Sequence, residues 1–145
     1  MNAPATTVAA GSLRLMLQGG EFIVAPGVFD MFSAKVADRM GFKALYMTGY
    51  GVSASHLGLP DAGLVGYTDM VSRAATIAQG ITRPLIADAD TGFGGLINIR
   101  HTVRGYEAAG VQADVALAQD LRDVDGVADG AAAAEAGVAG VPEDP

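Results

Sequence analysis

"PLIADADTGFGGLINIR", from Pro84 to Arg100, runs through a short apolar segment, two aspartates two residues apart, a glycine-rich turn and a helical pattern. Pro84 stands at the entrance, where a missing N–H costs a strand least. Gly92, Gly94 and Gly95 break the chain. Asn98 is placed to cap a helix carrying Ile99, Val103 and Tyr106 on one stripe, with Gly110 at its end. The segment thus reads as strand, turn, helix. Its turn suits three purposes: cradling a phosphate, holding a metal between paired carboxylates, or simply punctuating two elements.

The same unit recurs on either side. "EFIVAPGVF" (21–29) reads as a strand, and Asp30 can cap a helix over Met31–Met40 with Phe32, Val36 and Met40 as its apolar face and Gly41 at its end. "KALYMTG" (43–49) reads as the next strand. Thr68 or Asp69 opens a helix with Val71, Ala74, Ile77 and Ala78, closed by Gly80, and "VQADVAL" (111–117) starts a fourth strand. Strand, helix, glycine, strand in repetition means βαβ units and a parallel sheet. The nearly continuous apolar strands predict a sheet covered on both faces. An open doubly wound sheet and a (β/α)8 barrel share this pattern, and both hold ligands at the carboxyl ends of their strands. The loops to inspect are therefore Pro26–Asp30, Thr48–Asp61 and Asp88–Gly95 under either architecture.

Composition narrows the function classes. The chain has 145 residues, half of them hydrophobic, and no cysteine, which excludes disulfides and thiolate chemistry and fits an intracellular protein. No apolar run approaches the roughly 18–20 residues a membrane span needs, and no basic start precedes an apolar core, so a cytoplasmic protein is expected. Residues 1–112 hold eight bases and eight acids, whereas residues 113–145 hold one base, Arg122, and eight acids, which places the whole net charge of −7 there. No cationic cluster exists to meet a phosphate backbone, so nucleic acid is not an expected partner.

"TGYGVSA" contains Gly49-x-Gly51-x-x-Ala54, a loose dinucleotide fingerprint. That motif also needs a long helix and an acid about 20 residues on at a strand end. Here "SHLGLPDAGL" is too broken by Gly and Pro for such a helix, and Asp69 opens a helix with no strand before it. The loop can still offer backbone N–H groups and the Thr48 hydroxyl to a small carboxylate. Asp88 and Asp90, at i and i+2, point to one face of a strand end. Two carboxylates so close repel, and Mg2+ or another hard cation would relieve them through one or two direct oxygens and water. Asp61, in "GLPD", is a third acid for the same rim. Spacing alone leaves this metal reading balanced against simple capping of the turn. His56 and His101 lack a second ligand at coordinating spacing and read as structural or surface groups. Lys35 and Lys43 read as surface charges, and "GVSAS" lacks the second glycine of a nucleophile elbow.

"VAPGVFDMFSAKVADRMGFKALYMTGYGVSASHLGLPDAGL", "PLIADADTGFGG" and "NIRHTVRGYEAAGVQA" together resemble the isocitrate lyase/phosphoenolpyruvate mutase superfamily over about residues 12–113. The likeness is strongest to its methylisocitrate lyase, dimethylmalate lyase and oxaloacetate decarboxylase type. The resemblance implies a (β/α)8 TIM barrel, a tetramer of dimers that exchange a C-terminal helix, and Mg2+ (or Mn2+) at the carboxyl ends of the strands. It makes Asp88 the principal metal ligand, with Asp90 and Asp61 holding metal-bound water. It gives Thr48, Gly49 and Tyr50 to the substrate carboxylate and Tyr46 to the pocket wall. The implied activity is Mg2+-dependent C–C lysis or decarboxylation of a small 2-hydroxy or 2-oxo acid through the enolate of pyruvate. The alternatives are a non-catalytic remnant that binds metal or a small carboxylate, and a phosphoenolpyruvate or carboxyphosphonate mutase.

The chain also departs from the pattern. Relatives carry I-E-D-Q on the fourth strand and then, in the lyases, a K-K/R-C-G-H loop. Here the matching stretch reads "VQADVALAQDLRDVDGVADG", with neither motif. Residues 1–112 are therefore expected to form an N-terminal half barrel, with residues 113–145 a divergent Ala/Asp-rich acidic tail, disordered or arising from a reading-frame change. Half a barrel exposes a sheet edge and an apolar face, so poor stability or association, and little lyase activity, are expected. Sequencing the gene tests the frame change: an intact alternative frame encoding I-E-D-Q is expected, and its absence from every frame contradicts it.

Overall fold

The computed structural model describes residues 13–113. A helical segment over 13–18 precedes β1 (Gly27–Val28), α1 (Met31–Arg39), β2 (Leu45–Met47), α2 (Gly49–Leu57), α3 (Tyr67–Gly80), β3 (Leu85–Ala87), α4 (Leu96–Ala108) and β4 (Gln112–Ala113). The four strands form one parallel sheet in the order β1-β2-β3-β4, with Tyr46 opposite Gly27 on one side and Ile86 on the other. This is the βαβ arrangement the alternating periodicities predict. The fourth strand begins where expected, and residues 114–117 of "VQADVAL", like the rest of the acidic tail, lie outside the described residues.

The core lies between the sheet and its helices. Val28, Leu45, Met47, Leu85 and Ala87 meet Ala34, Ala37, Met70, Ala74, Ile77 and Tyr106 there. Among the described residues the strands are fully buried on one face and partly buried on the other. Leu45, Met47, Leu85 and Ala87 are buried, while Tyr46 and Ile86, which alternate with them, are half-buried. The expected cover on both faces is thus complete on one face and partial on the other among the described residues.

Three local expectations are also corrected. The first strand shrinks to Gly27–Val28, because its partner β2 begins only at Leu45. The Tyr46 N–H bonds the Pro26 carbonyl and the Thr48 N–H bonds Val28, leaving Phe22 and Val24 upstream without a strand partner and exposed. On α1 the Phe32, Val36 and Met40 stripe points outward, Phe32 being 81% exposed, and the buried residues are Ala34 and Ala37. The small alanines face the core and let the helix approach it closely; the period was right but the face was not. The loop after β2 opens with a short helix that the sequence reading did not place, and it stops at Gly58, inside "SHLGLPDAGL", where the glycines and proline break it. Residues Gly49–Leu57 form α2, opened by the Thr48 hydroxyl accepting from the Gly51 N–H at 3.4 Å and closed by Gly58 at φ 67°.

Asp30 caps α1 as predicted. Its carboxylate accepts from the Ser33 N–H at 2.7 Å, and the Ser33 hydroxyl accepts from the Asp30 N–H at 3.2 Å, a reciprocal capping box. The other two helices start earlier than expected. α3 is opened by Gly66, with Asp69 in its first turn, and α4 by Gly95, with Asn98 inside its first turn.

The Ser33 N–H, with its hydroxyl second, lowers the Asp30 pKa below the usual carboxylate value. A depressed folded pKa contributes stability that is present above the unfolded value and lost as pH falls through the folded one. Asp30→Ala is expected to lower unfolding stability by about 1 kcal/mol at pH 7. The difference from wild type should fade below roughly pH 4 in urea titrations.

Candidate active site

The carboxyl ends of β2 and β3 meet in a cavity of about 220 Å³ lined by Gly49, Ser53, Asp61, Ala62, Gly63, Val65, Met70, Asp88, Asp90 and Phe93. Among the described residues, three acids and no basic side chain form its wall. Asp88 follows β3 directly, and its carboxylate makes two contacts with backbone. Oδ2 accepts from the Gly49 N–H at 3.0 Å and Oδ1 from the Asp90 N–H at 2.9 Å. Asp88 therefore caps its own turn, one of the two readings that spacing left open, and also faces the cavity. Asp90 lies beyond the strand at φ 49°, so the alternation that placed it beside Asp88 does not extend this far. The left-handed turn brings it to the rim instead.

Asp61 arrives from the loop after α2. Its Oδ1 accepts from the Ser53 hydroxyl at 3.2 Å, and Ser53 is only 2% exposed. Gly49 separates the two carboxylates. A Cβ at Gly49 would lie 2.6 Å from Asp88 Oδ2 and 3.5 Å from Asp61 Oδ2, so both acids face the same glycine. The dinucleotide reading of "TGYGVSA" fails for the same reason. The anion at the N-terminus of α2 is the chain's own Asp88, and Gly51 is closed by Phe29, 2.7 Å from where its Cβ would stand.

Among the described residues no three His, Asp or Glu side chains approach closely enough to ligate one ion together. The donor set instead fits a hard divalent cation held by one or two carboxylates, with water completing its shell. A cavity with three acids and no base is chemically suited to that arrangement. The other residues singled out for substrate lie outside the cavity wall. Tyr46 is half-buried on β2, Thr48 caps α2, and Tyr50 is exposed. His56 sits at the surface, 3.7 Å from Asp69 and 3.5 Å from Arg73, and His101 packs on Tyr67 with ring centroids 4.7 Å apart. Lys35 bonds the Gly80 carbonyl and Lys43 pairs with Glu21. Sequence reasoning missed Ser53, which lies four residues after Gly49 on one face of α2 and becomes visible only once that helix is accepted. It also missed Met70 and Phe93, whose apolar character concealed their place in the wall.

A parallel α/β sheet with acids gathered at the carboxyl ends of its strands defines a ligand site of the kind this fold class holds there. The sequence model of the family described as Phosphoenolpyruvate phosphomutase matches residues 13–117. The 2,3-dimethylmalate lyase of Eubacterium barkeri is 55% identical over 102 residues, which are 70% of this chain and 35% of that enzyme. The structure of oxaloacetate acetylhydrolase in complex with 3,3-difluorooxalacetate aligns with a TM-score of 0.71 and 45% identity, over 77% of this chain and 38% of that one. That of phosphonopyruvate hydrolase with oxalate and Mg2+ aligns with a TM-score of 0.67 and 35% identity, over 70% of this chain and 36% of that one. The chain belongs to the isocitrate lyase/phosphoenolpyruvate mutase superfamily. It spans little more than a third of the length of these relatives.

Gly49→Ala tests the close approach at the centre of the cavity. The new methyl must displace an Asp88 carboxylate that two amides hold in place, and a loss of about 1–3 kcal/mol in unfolding stability is expected from urea denaturation.

Proposed function

We propose that this chain supplies the acidic, metal-holding part of a site that breaks a C–C bond in a small 2-hydroxy or 2-oxo carboxylic acid. The observation that carries this reading is the convergence of Asp61, Asp88 and Asp90 on one cavity without a basic side chain to neutralise them. The relatives support it. They include a dimethylmalate lyase and an oxaloacetate acetylhydrolase, and the phosphonopyruvate hydrolase was solved with oxalate and Mg2+. In this reading the described residues are the N-terminal part of a (β/α)8 barrel, whose remaining units would cover the half-buried face at Tyr46 and Ile86.

Asp88 would offer the direct carboxylate oxygen for Mg2+, with Mn2+ as the substitute, and Asp61 and Asp90 would accept hydrogen bonds from water around it. When bound, the cation supplies Lewis-acid stabilisation of the charge that develops as the C–C bond breaks. Ser53 fixes the orientation of Asp61 by donating to its Oδ1. Val65, Met70 and Phe93 form the apolar side of the cavity. The Gly49 N–H is committed to Asp88. The Thr48 hydroxyl accepts from Gly51 as the α2 cap and keeps its proton to donate, but it stands outside the cavity wall. The Phe32, Val36 and Met40 stripe suits association into a homo-oligomer.

A second reading, a remnant that binds without turnover, is favoured by the absence of I-E-D-Q in the stretch after Val111. Calorimetric titration with oxalate, followed by pyruvate release from a panel of 2-hydroxy and 2-oxo dicarboxylates, separates the two. Oxalate binding is expected only with Mg2+ and not in Asp88→Ala. Pyruvate release supports the lyase reading, and binding without release supports the remnant. Oxalate binding that ignores both Mg2+ and Asp88 contradicts the site itself.

A further inference from the structure

The turn that carries the acids follows an unusual path. Asp90, Gly92, Phe93 and Gly94 all have positive φ, at 49°, 88°, 59° and 145°. For Phe93 in particular this conformation is uncommon and costs energy, so the surrounding structure must impose it. The Tyr67 ring meets Phe93 edge-on at 6.1 Å, and Gly92 is so close to α4 that a Cβ there would lie 2.6 Å from Ile99 Cγ1.

Two buried hydroxyls on α4 hold the two ends of this turn. The Tyr106 hydroxyl donates to the main-chain carbonyl of Asp88 at 2.9 Å, and the Thr102 hydroxyl donates to that of Gly92 at 3.0 Å. Tyr106 is 0% and Thr102 1% exposed. They stand four residues apart, hence on one face of the helix. Neither touches the cavity. One fixes the residue whose carboxylate leads the site, and the other fixes the glycine two residues beyond Asp90. A buried hydroxyl without a partner is costly, so each bond is kept whenever the helix is docked.

The geometry points to Thr102 and Tyr106 as positioning residues that clamp the Asp88–Gly92 turn, so that its carboxylates are pre-set for a divalent cation. The inference deepens the metal reading proposed above and rests on it. α4 thus acts on the site through main chain alone, as groups behind the direct ligands commonly do for metal affinity.

Amide hydrogen exchange and Mn2+ binding on the full chain test it. The variants are Tyr106→Phe, Thr102→Val and Thr102→Ser, with Ile77→Val as a control that weakens the core far from the turn. The probes are the Asp90 N–H, bonded to Asp88 Oδ1, and the Gly92 N–H, bonded to the Ala89 carbonyl. Tyr106→Phe and Thr102→Val are expected to speed exchange at these two amides beyond the change elsewhere in the chain. Both should also weaken Mn2+, read from broadening of the Asp88 and Asp90 amides, by about 10–100-fold. Thr102→Ser should restore both properties, and Ile77→Val should alter neither relative to its loss of stability. Exchange that merely follows global stability in every variant overturns the inference, as does a loosened turn with unchanged Mn2+ affinity. A wild-type chain that shows no Mn2+ broadening at the rim overturns the metal reading itself, and this inference with it.

Discussion

The Asp88 carboxylate ties together the parts on which the site depends. One oxygen takes the first N–H of α2, and the other takes the amide of Asp90 in its own turn. A charged acceptor at a helix N-terminus is favoured by the unpaired N–H groups and by the helix dipole. That contact joins the end of β3 to the start of the helix that follows β2. It requires glycine at position 49, because any Cβ would collide with the oxygen it receives. The same side chain is therefore a structural cap and the leading acid of the cavity. These roles do not compete, since a carboxylate has about four acceptor positions and the backbone occupies two.

The sequence made the layout legible where short-range rules decide it. The Asp30 cap, the order of the units and the loops worth inspecting follow from capping chemistry and alternating periodicity. Asp61, Asp88 and Asp90 then meet because the carboxyl ends of neighbouring parallel strands meet. Sequence reasoning failed where long-range contact overrides a local rule. Gly49 and Gly51 read as a loose dinucleotide fingerprint, yet both lie in the first turn of α2, where Asp88 and Phe29 leave no room for a side chain. Phe32, Val36 and Met40 gave the larger apolar stripe on α1, but close approach to the sheet selected Ala34 and Ala37. The clamp from α4 had no local signal, because Thr102 reads as an ordinary helical threonine and Tyr106 as one member of an apolar stripe.

The structure accepts local costs at this rim. Beside three acids that line one cavity, a phenylalanine adopts a left-handed conformation. Such costs gather where a ligand is expected to offset them. The surroundings answer with rigid support: Ser53 behind Asp61, the α2 terminus behind Asp88, and Tyr67 against Phe93. Membership of the isocitrate lyase/phosphoenolpyruvate mutase superfamily gives this arrangement a chemical setting. The half-buried sheet face and the exposed α1 stripe show that the described residues do not cover all of their own apolar surface.

The central claim is that Asp61, Asp88 and Asp90 form the cation-holding rim, although eight other acids crowd residues 113–145. Paramagnetic broadening of amide resonances by substoichiometric Mn2+ tests it directly. The account predicts that the amides of Gly49, Asp61, Asp88 and Asp90 broaden first, and that Asp88→Ala removes the effect there. Broadening confined to the acidic stretch beyond Ala113, or unchanged by Asp88→Ala, would contradict it.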